Sequence, residues 1–352
     1  MTKFKLICIE HSERDKNEII YPLQKSKQPV IIIQLKKKGI ISRINFIKKG
    51  IKEVKNNTIL IHDFWPEQFL LEYFFKPFLK YKIILKIKGN PLQELKDKIN
   101  LLEKEGFPFL AFRKKIAYHI IIFALKKADL LLTVSDDLKN RLSYINKNIK
   151  TVHIPCNEKN FRKKDYKKEV KEVKVLAVTD FKYQRKIAGI GEFLDKNKDF
   201  LLKENLSITI AGEGPFLTEF KEKYQNYSNI HFLGYCKDID KLYSKYDLFV
   251  HFSYLDGYPN TVLEAQASRL PVVVNRCCGM VEQVTPGVNG FIINLKDVYQ
   301  TRKAIMSLKN SKKLRKKFGE AGLKKIIKEN SYEYIGEKLR EAIQESLEIE
   351  KK

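Results

Sequence analysis

Acidic residues are in short supply: 42 Asp and Glu stand against 68 Lys and Arg in 352 residues, a formal charge of +26. Residues 1–170 hold 37 basic and 18 acidic side chains, and the remainder 31 and 24, so most of the positive field lies in the first half. Such a field favours an anionic partner: a phosphate-bearing substrate, an acidic membrane face or nucleic acid. Cysteine is sparse too. The five (Cys8, Cys156, Cys236, Cys277, Cys278) are odd in number and show no CxxC spacing. That argues against a disulfide framework or a cysteine zinc site and for a reducing, cytoplasmic compartment. Long apolar runs are missing, since the longest, Ile116 to Leu125, stops at Lys126-Lys127, short of the ~18–20 residues a membrane span needs. The opening MTKFKLICIEH has too short an apolar core for a signal peptide. The expectation is a soluble or peripheral protein. At 43% apolar the chain can build substantial cores, and disorder as a whole is excluded.

What is present is alternation. Short β-branched runs predict strands at Phe4–Ile9, Val30–Leu35, Thr58–Ile61, Lys82–Ile87, Leu130–Val134 and Thr151–Ile154. A second set follows at Lys174–Val178, Ser207–Ala211, Ile230–Leu233, Leu248–Phe252, Pro271–Asn275 and Phe291–Asn294. Amphipathic stretches such as Pro91–Glu105, Arg113–Lys127, Pro215–Tyr224 and Asn260–Ser268 separate them. Nearly continuous Val/Ile/Leu strands alternating with helices predict an α/β fold of parallel sheets covered on both faces. The charged break FRKKDYKKEVKEVK (161–174) reads as a solvated linker between two doubly wound domains, 1–165 and 166–330. Open sheets of this kind bind ligands at the carboxyl ends of their strands, and two facing domains predict a cleft there.

The densest stretch is LFVHFSYLDGYPNTVLEAQASRLPVVVNRCCGMVEQVTPGVNG (248–290). A strand leads into the turn Asp256-Gly257-Tyr258-Pro259-Asn260-Thr261, and a helix starts near Asn260. Its free N–H groups favour a phosphate, and Gly257 permits close backbone approach. Asp256 and Glu264, eight positions apart, suit hydrogen bonding to the vicinal hydroxyls of a ribose or sugar. By spacing alone Asp256 reads equally as a turn residue and Glu264 as a solvated helix position.

DGYPNTVLEAQASRLPVVV resembles the acidic-x7-acidic stretch of retaining glycosyltransferases of family four. Upstream, ITIAGEGPFLTEF and IHFLGYCKDIDKLYSKYDLFVHFS are similar to that family's Gly-x-Gly-Pro loop and Phe-Leu-Gly-Tyr segment. ADLLLTVSDDLKNRL and VHIPCNEKNF match its Val-Ser and Ile-Pro-Asn-Gly segments. NSYEYIGEKLREAI resembles its closing helix, which implies that 331–352 crosses back to the first domain. The resemblance is good over 128–352 and weak over 1–127.

It implies a GT-B fold and a hexosyltransferase-like, metal-independent enzyme. Such an enzyme moves a sugar from a nucleotide diphosphate sugar to an acceptor hydroxyl with retention. The sugar nucleotide is a co-substrate, and no cofactor is implied. Carried over, Glu264 holds the donor ribose, Asp256 contacts the transferred sugar, and the backbone of Gly257, Tyr258, Pro259, Asn260 and Thr261 faces the diphosphate and sugar. Gly212 and Gly214 belong to a loop near the nucleotide, and Tyr235-Cys236 lies where the base is contacted. Arg185 and Lys186 supply the charge that stabilises the leaving diphosphate, with the choice between them open. His62 matches a cleft-facing histidine near the reacting sugar, with Asp63 placed to orient it and His11 a weaker acceptor-side candidate. Glu282 reads as structural as much as functional. His119, His153, His231 and His251 sit in apolar or strand contexts and read as structural.

Departures accompany the match. EHSERDKN replaces a glycine-rich loop, Thr179-Asp180 replaces Gly-Arg, Arg269 and Cys277-Cys278-Gly279 stand where glycines are usual, and Asp256 is one methylene shorter than Glu. Asp238-Ile239-Asp240 has the letters of a metal motif but reads as a helix start, so no metal is assigned. The acceptor is expected to be a glycan or lipid-linked molecule in polysaccharide or glycolipid synthesis. The run FFKPFLKYKIILKIK (74–88) reads either as an anionic-membrane contact or as a strand flanked by solvated lysines. Two rivals remain: a nucleotide-sugar 2-epimerase of the same fold, and a basic nucleic-acid-binding protein. The latter has charge in its favour but no finger, RNP stripe or recognition helix, so nucleic acid is not an expected partner.

Overall fold

The computed structural model describes residues 5–10, 16–34, 58–63, 66–166 and 172–348. The chain forms two compact units, one of Met1–Pro155 with Tyr332–Lys352 and the other of Cys156–Ser331. In the first, β1 (Lys5–Glu10), β2 (Val30–Gln34), β3 (Thr58–Asp63), β4 (Lys82–Ile87), β5 (Leu130–Thr133) and β6 (Ile149–Thr151) form one parallel sheet in the order β2-β1-β3-β4-β5-β6. β4 and β5 are buried along almost their whole length, which is why they read as unbroken Ile and Leu. The helices Pro91–Lys104 and Pro108–Lys127 both open with proline in the first turn, where its missing N–H is not needed. The final helix, Tyr332–Glu348, sets Ile335, Leu339, Ala342 and Ile343 into the core made by Leu6, Ile19, Leu23 and Ile61.

The second unit repeats the plan with β7 (Val173–Val178), β8 (Leu206–Ala211), β9 (Ile230–Gly234), β10 (Leu248–His251), β11 (Val272–Asn275) and β12 (Gly290–Ile293). Their order is β12-β11-β10-β7-β8-β9, all parallel, so the direction of winding reverses between β7 and β10. In open α/β sheets that reversal leaves a crevice beyond the strands' carboxyl ends, here Val178 and His251. Eleven of the expected strands are present, the sixth is shifted to Ile149–Thr151 from Thr151–Ile154, and the reading of two Rossmann-like parallel sheets holds.

Three expectations need correction. The boundary between the units falls at Pro155/Cys156 rather than at 165. Residues 156–166 are fastened to the second unit: Cys156 N–H donates to Asn330 O (2.7 Å), Lys164 N–H to Ser268 O (2.8 Å) and Tyr166 O–H to Arg269 O (2.6 Å). Lys164 also pairs with the buried Asp247 at 2.9 Å, so this part of the charged break is docked, while 167–171 lie outside the described residues. The run 74–88 is not one surface. Its first part ends the helix Pro66–Leu79, and its second is the buried strand β4, whose Lys86 is wholly enclosed and donates to Glu18 O at 2.9 Å.

The seating of the last helix can be tested at Gly336, where an added Cβ would lie 1.9 Å from the Pro22 carbonyl oxygen. Gly336→Ala is expected to cost about 1–3 kcal/mol as backbones are pushed apart, measured by urea unfolding. An unchanged midpoint would mean that the helix is not seated at Pro22.

Candidate active site

The turn after β10 has no ladder partners, so buried side-chain amides satisfy its backbone. Asn275, at the end of β11, accepts from Ser253 N–H (2.9 Å) and donates to Ser253 O (3.0 Å), while Ser253 Oγ accepts from Leu255 N–H. Gln283 donates to Pro259 O at 2.9 Å, and Gln283 O accepts from Gln266 (3.1 Å) and Asn289 (3.2 Å). Tyr258 is buried, with Asn330 against its hydroxyl. This frame fixes the start of the helix Asn260–Ala267, which has no side-chain cap and leaves first-turn N–H groups open to a ligand. Asn260 Oδ1 is buried there without a hydrogen-bond partner among the described residues.

Four polar side chains converge on the turn. Asp256 Oδ1 lies 3.3 Å from Lys186 Nζ, and Asp256 Oδ2 lies 3.1 Å from His251 Nε2. Nδ1 of the same imidazole is 3.3 Å from Thr261 Oγ1. Burial alone would raise the Asp256 carboxyl, but the His251 hydrogen bond, the Lys186 charge and the Ser253 hydroxyl outweigh it and hold the group down at about 2. Lys186 arrives on the first turn of the helix Gln184–Lys203, whose Gly189 lets it press on β10's exit: a Cβ there would meet the Phe252 carbonyl at 2.5 Å. Arg185 accepts from Tyr254 N–H through its carbonyl and turns its side chain to solvent.

Glu264, half-buried on the helix, accepts from Tyr243 O–H at 2.6 Å. Tyr243 is fully enclosed, and burial first, then the Glu264 charge, pushes its phenol far up. Burial and Glu264 likewise push up the thiol of Cys156, and Phe161 meets the Tyr243 ring edge-on. Gly212 and Gly214 have φ of +139° and +147°, and a Cβ at Gly212 would lie 1.8 Å from Thr179 O. Their glycine character thus follows from the loops after β7 and β8 lying against each other. Tyr235, 69% exposed, and the half-buried Cys236 follow β9. Glu282 lies on the short helix Met280–Gln283. Asp240 lies in the helix Ile239–Leu242 with Asp238 just before it, and no three His, Cys, Asp or Glu gather as a metal-ligand set among the described residues.

In the first unit, His62 lies on β3 opposite Leu85, and its side chain is outside the described residues, as is His11. Asp63 pairs with Lys88, which also lies 3.1 Å from the buried Glu18. The structure therefore brings together Asp256, Lys186, Thr261 and, unforeseen, His251. The helix Asn260–Ala267 carries Glu264 a short way along. His251 read as structural because a histidine in a Val/Phe strand has no local signature; only the tightness of the 252–255 turn could have indicated its contact. The framing amides Gln266, Gln283 and Asn289 were missed for the same reason.

Fold and site together define a two-domain α/β protein with two Rossmann-like parallel sheets, the GT-B type of fold. Residues 158–325 match the family of glycosyl transferases group 1. The chain is 31% identical over 130 residues to a Campylobacter jejuni N,N'-diacetylbacillosaminyl-diphospho-undecaprenol alpha-1,3-N-acetylgalactosaminyltransferase, covering 36% of this chain and 34% of that protein. It is 29% identical over 157 residues to the capsular polysaccharide biosynthesis glycosyltransferase CapM of Staphylococcus aureus, covering 43% and 41%. The chain thus spans about a third of the length of the curated relatives it matches. The structure of Anabaena HepE in complex with UDP and glucose superimposes with a TM-score of 0.68 at 13% identity, covering 97% of this chain and all of that one. At that identity the likeness is one of fold.

A carboxyl held at about 2, against an ordinary value near 4, favours the folded state when ionised. Its contribution is complete above about pH 4 and is lost as pH falls through 2. Asp256→Asn is expected to be less stable by about 2 kcal/mol at neutral pH, the deficit closing between pH 4 and 2 in urea unfolding. A deficit independent of pH would remove the ionised carboxylate from the description.

Proposed function

We propose that the protein transfers a sugar from a nucleotide diphosphate sugar to an acceptor hydroxyl with retention of anomeric configuration. The observation that carries this is the ionised, half-buried Asp256 with Lys186 beside it at the winding reversal of a domain that matches the group 1 glycosyltransferases. In this reading the donor's diphosphate meets the open N–H groups of the helix at Asn260. Lys186 and Arg185 stabilise the charge that develops as the glycosidic bond breaks. Glu264, oriented by Tyr243, accepts from the ribose hydroxyls, and Asp256 accepts from the sugar. The leaving phosphate takes the acceptor proton on the same face, and amides with basic side chains do the work a metal would do elsewhere.

The acceptor in this reading is a lipid-linked glycan. A relative named for an undecaprenol diphosphate acceptor supports it. So does the helix Pro108–Lys127, which carries Arg113, Lys114, Lys115, Lys126 and Lys127 and no acidic residue. Phe109 and Phe112 on it are 71% and 60% exposed, the pairing of aromatic and basic groups that an anionic lipid surface holds. No helix among the described residues is long and apolar enough to cross a membrane, so such contact would be peripheral.

A thermal-shift screen over UDP-, GDP-, ADP- and dTDP-sugars tests the donor. The right one stabilises by about 2.7 kcal/mol at a hundred times its Kd. Glu264→Gln, which keeps an acceptor for Tyr243, is expected to lose at least about tenfold in donor affinity while melting near the wild type. The absence of a shift with every sugar nucleotide would end the donor reading, and an inverted product would end retention. Product formed without acceptor would point to epimerisation. Co-sedimentation with phosphatidylglycerol vesicles is expected, and should fall on replacing Phe109 and Phe112 by Ser. Equal binding by that variant would remove the helix from the membrane contact.

A further inference from the structure

We propose that His251 is a positioning residue, holding the Asp256 carboxylate in the direction from which it meets the transferred sugar; this rests on the nucleotide-sugar reading of the site. An ionised carboxylate has no hydrogen to give, so the 3.1 Å contact requires the hydrogen on His251 Nε2. In the neutral ring Nδ1 is then the acceptor, and the Thr261 hydroxyl at 3.3 Å donates to it. With Lys186 Nζ at 3.3 Å from the other carboxylate oxygen, one polar line is formed. It runs from the first turn of one helix, through imidazole and carboxylate, to the first turn of another. The ring is buried and lies nearly parallel to Phe249, 6.3 Å between centroids at 15°, so it is held by packing as well as by polar contacts.

The line does not exhaust the carboxylate. Each oxygen accepts about two hydrogens; His251 and Lys186 take one apiece and the Ser253 hydroxyl a third, which leaves capacity for one sugar hydroxyl. A chain with the shorter Asp at 256 has its carboxylate close to the strand's end, within reach of the last residue of β10. The imidazole thus fixes a group that two side-chain torsions would otherwise leave free to turn.

Two measurements test this. In the first, UDP-glucose, GDP-mannose, ADP-glucose and dTDP-glucose are each offered and release of nucleoside diphosphate is followed. His251→Leu is expected to lose about 10²-fold in kcat with little change in KM, since a carboxylate misdirected by an ångström costs that much. His251→Gln, which retains an N–H donor, should recover most of the loss. A Leu variant within about twofold of wild type, or Leu and Gln variants equally impaired at unchanged melting temperature, would overturn the proposal. The second needs no ligand: long-range proton–nitrogen spectra of the free protein at neutral pH should show His251 with hydrogen on Nε2 and none on Nδ1. Hydrogen on Nδ1 alone would overturn it. If wild type turns over none of the four donors, the sugar-nucleotide reading fails while the tautomer still judges the hydrogen-bonded line.

Discussion

An ionised carboxylate held largely out of water has to be stabilised by its neighbours, and the second unit is arranged around that demand. Burying Asp256 opposes its charge, so the site exists only because a cation and two hydrogen-bond donors lie within reach. Each comes from a different part of the chain: Lys186 from the helix after β7, His251 from the end of β10, Ser253 from the turn. Bringing them together requires the helix Gln184–Lys203 to lie against the backbone at Phe252, which a side chain at 189 would prevent. It also requires the turn to be rigid, which the amides of Asn275, Gln283 and Asn289 achieve by satisfying carbonyls that no strand reaches. The polar site and the apolar frame are thus one construction. An error in the packing of Gly189 would be felt as an unpaired charge.

The departures from the resembled family have physical readings once backbone angles are known. Arg269 and Cys278 stand at φ of +62° and +55°, in the left-handed region where glycine carries no Cβ penalty. The turns have kept their shape and taken the strain. Arg269 closes the helix Asn260–Ala267, and its carbonyl accepts from Tyr166, fastening the segment 156–166. Cys278 places its sulfur 2.9 Å from that of Cys277 on the turn after β11. The shorter Asp256 is a departure of another kind, with its carboxylate in contact with His251 at the end of β10.

The fold was legible almost completely, because a strand covered on both faces must be apolar throughout and then announces itself. VKVLAV, LFVH and VVVN leave no other reading between helical patterns. The candidate site was legible where it depends on order along the chain, as in Asp256 and Lys186, which the structure brings together, while Arg185 of the same basic pair faces solvent. It was opaque where it depends on the sheet. The reach of His251 to Asp256, the Tyr243 hydroxyl on Glu264 and the ladder of buried amides are contacts across turns and layers, carried by residues common on any surface. At 74–88 the strand reading holds over Lys82–Ile87, and it is the solvation of its lysines that fails. Lysine in β4 suggests solvent, yet Lys86 is enclosed because a carbonyl at residue 18 and the Glu18 carboxylate sit where its ammonium ends.

That buried pair bears on how the uneven charge of the chain should be read. Lys86 and Lys88 are taken up by Glu18 and Asp63 and contribute little to any outward field. The outward field of the first unit comes instead from residues such as those of the helix Pro108–Lys127, which has five basic side chains and no acid of its own. Only Lys115 of the five is paired to a carboxylate among the described residues, that of Glu103 at 2.7 Å. A field of that kind acts over about a Debye length, roughly 10 Å at 0.1 M salt, and so gathers anions without selecting among them. Selection needs the exposed aromatic rings of the same helix, which gain by entering an apolar layer and gain nothing from a nucleic-acid backbone. In the proposed reading, charge and aromatics on one helix are what favour an acidic lipid surface over a duplex, a distinction that net charge cannot make.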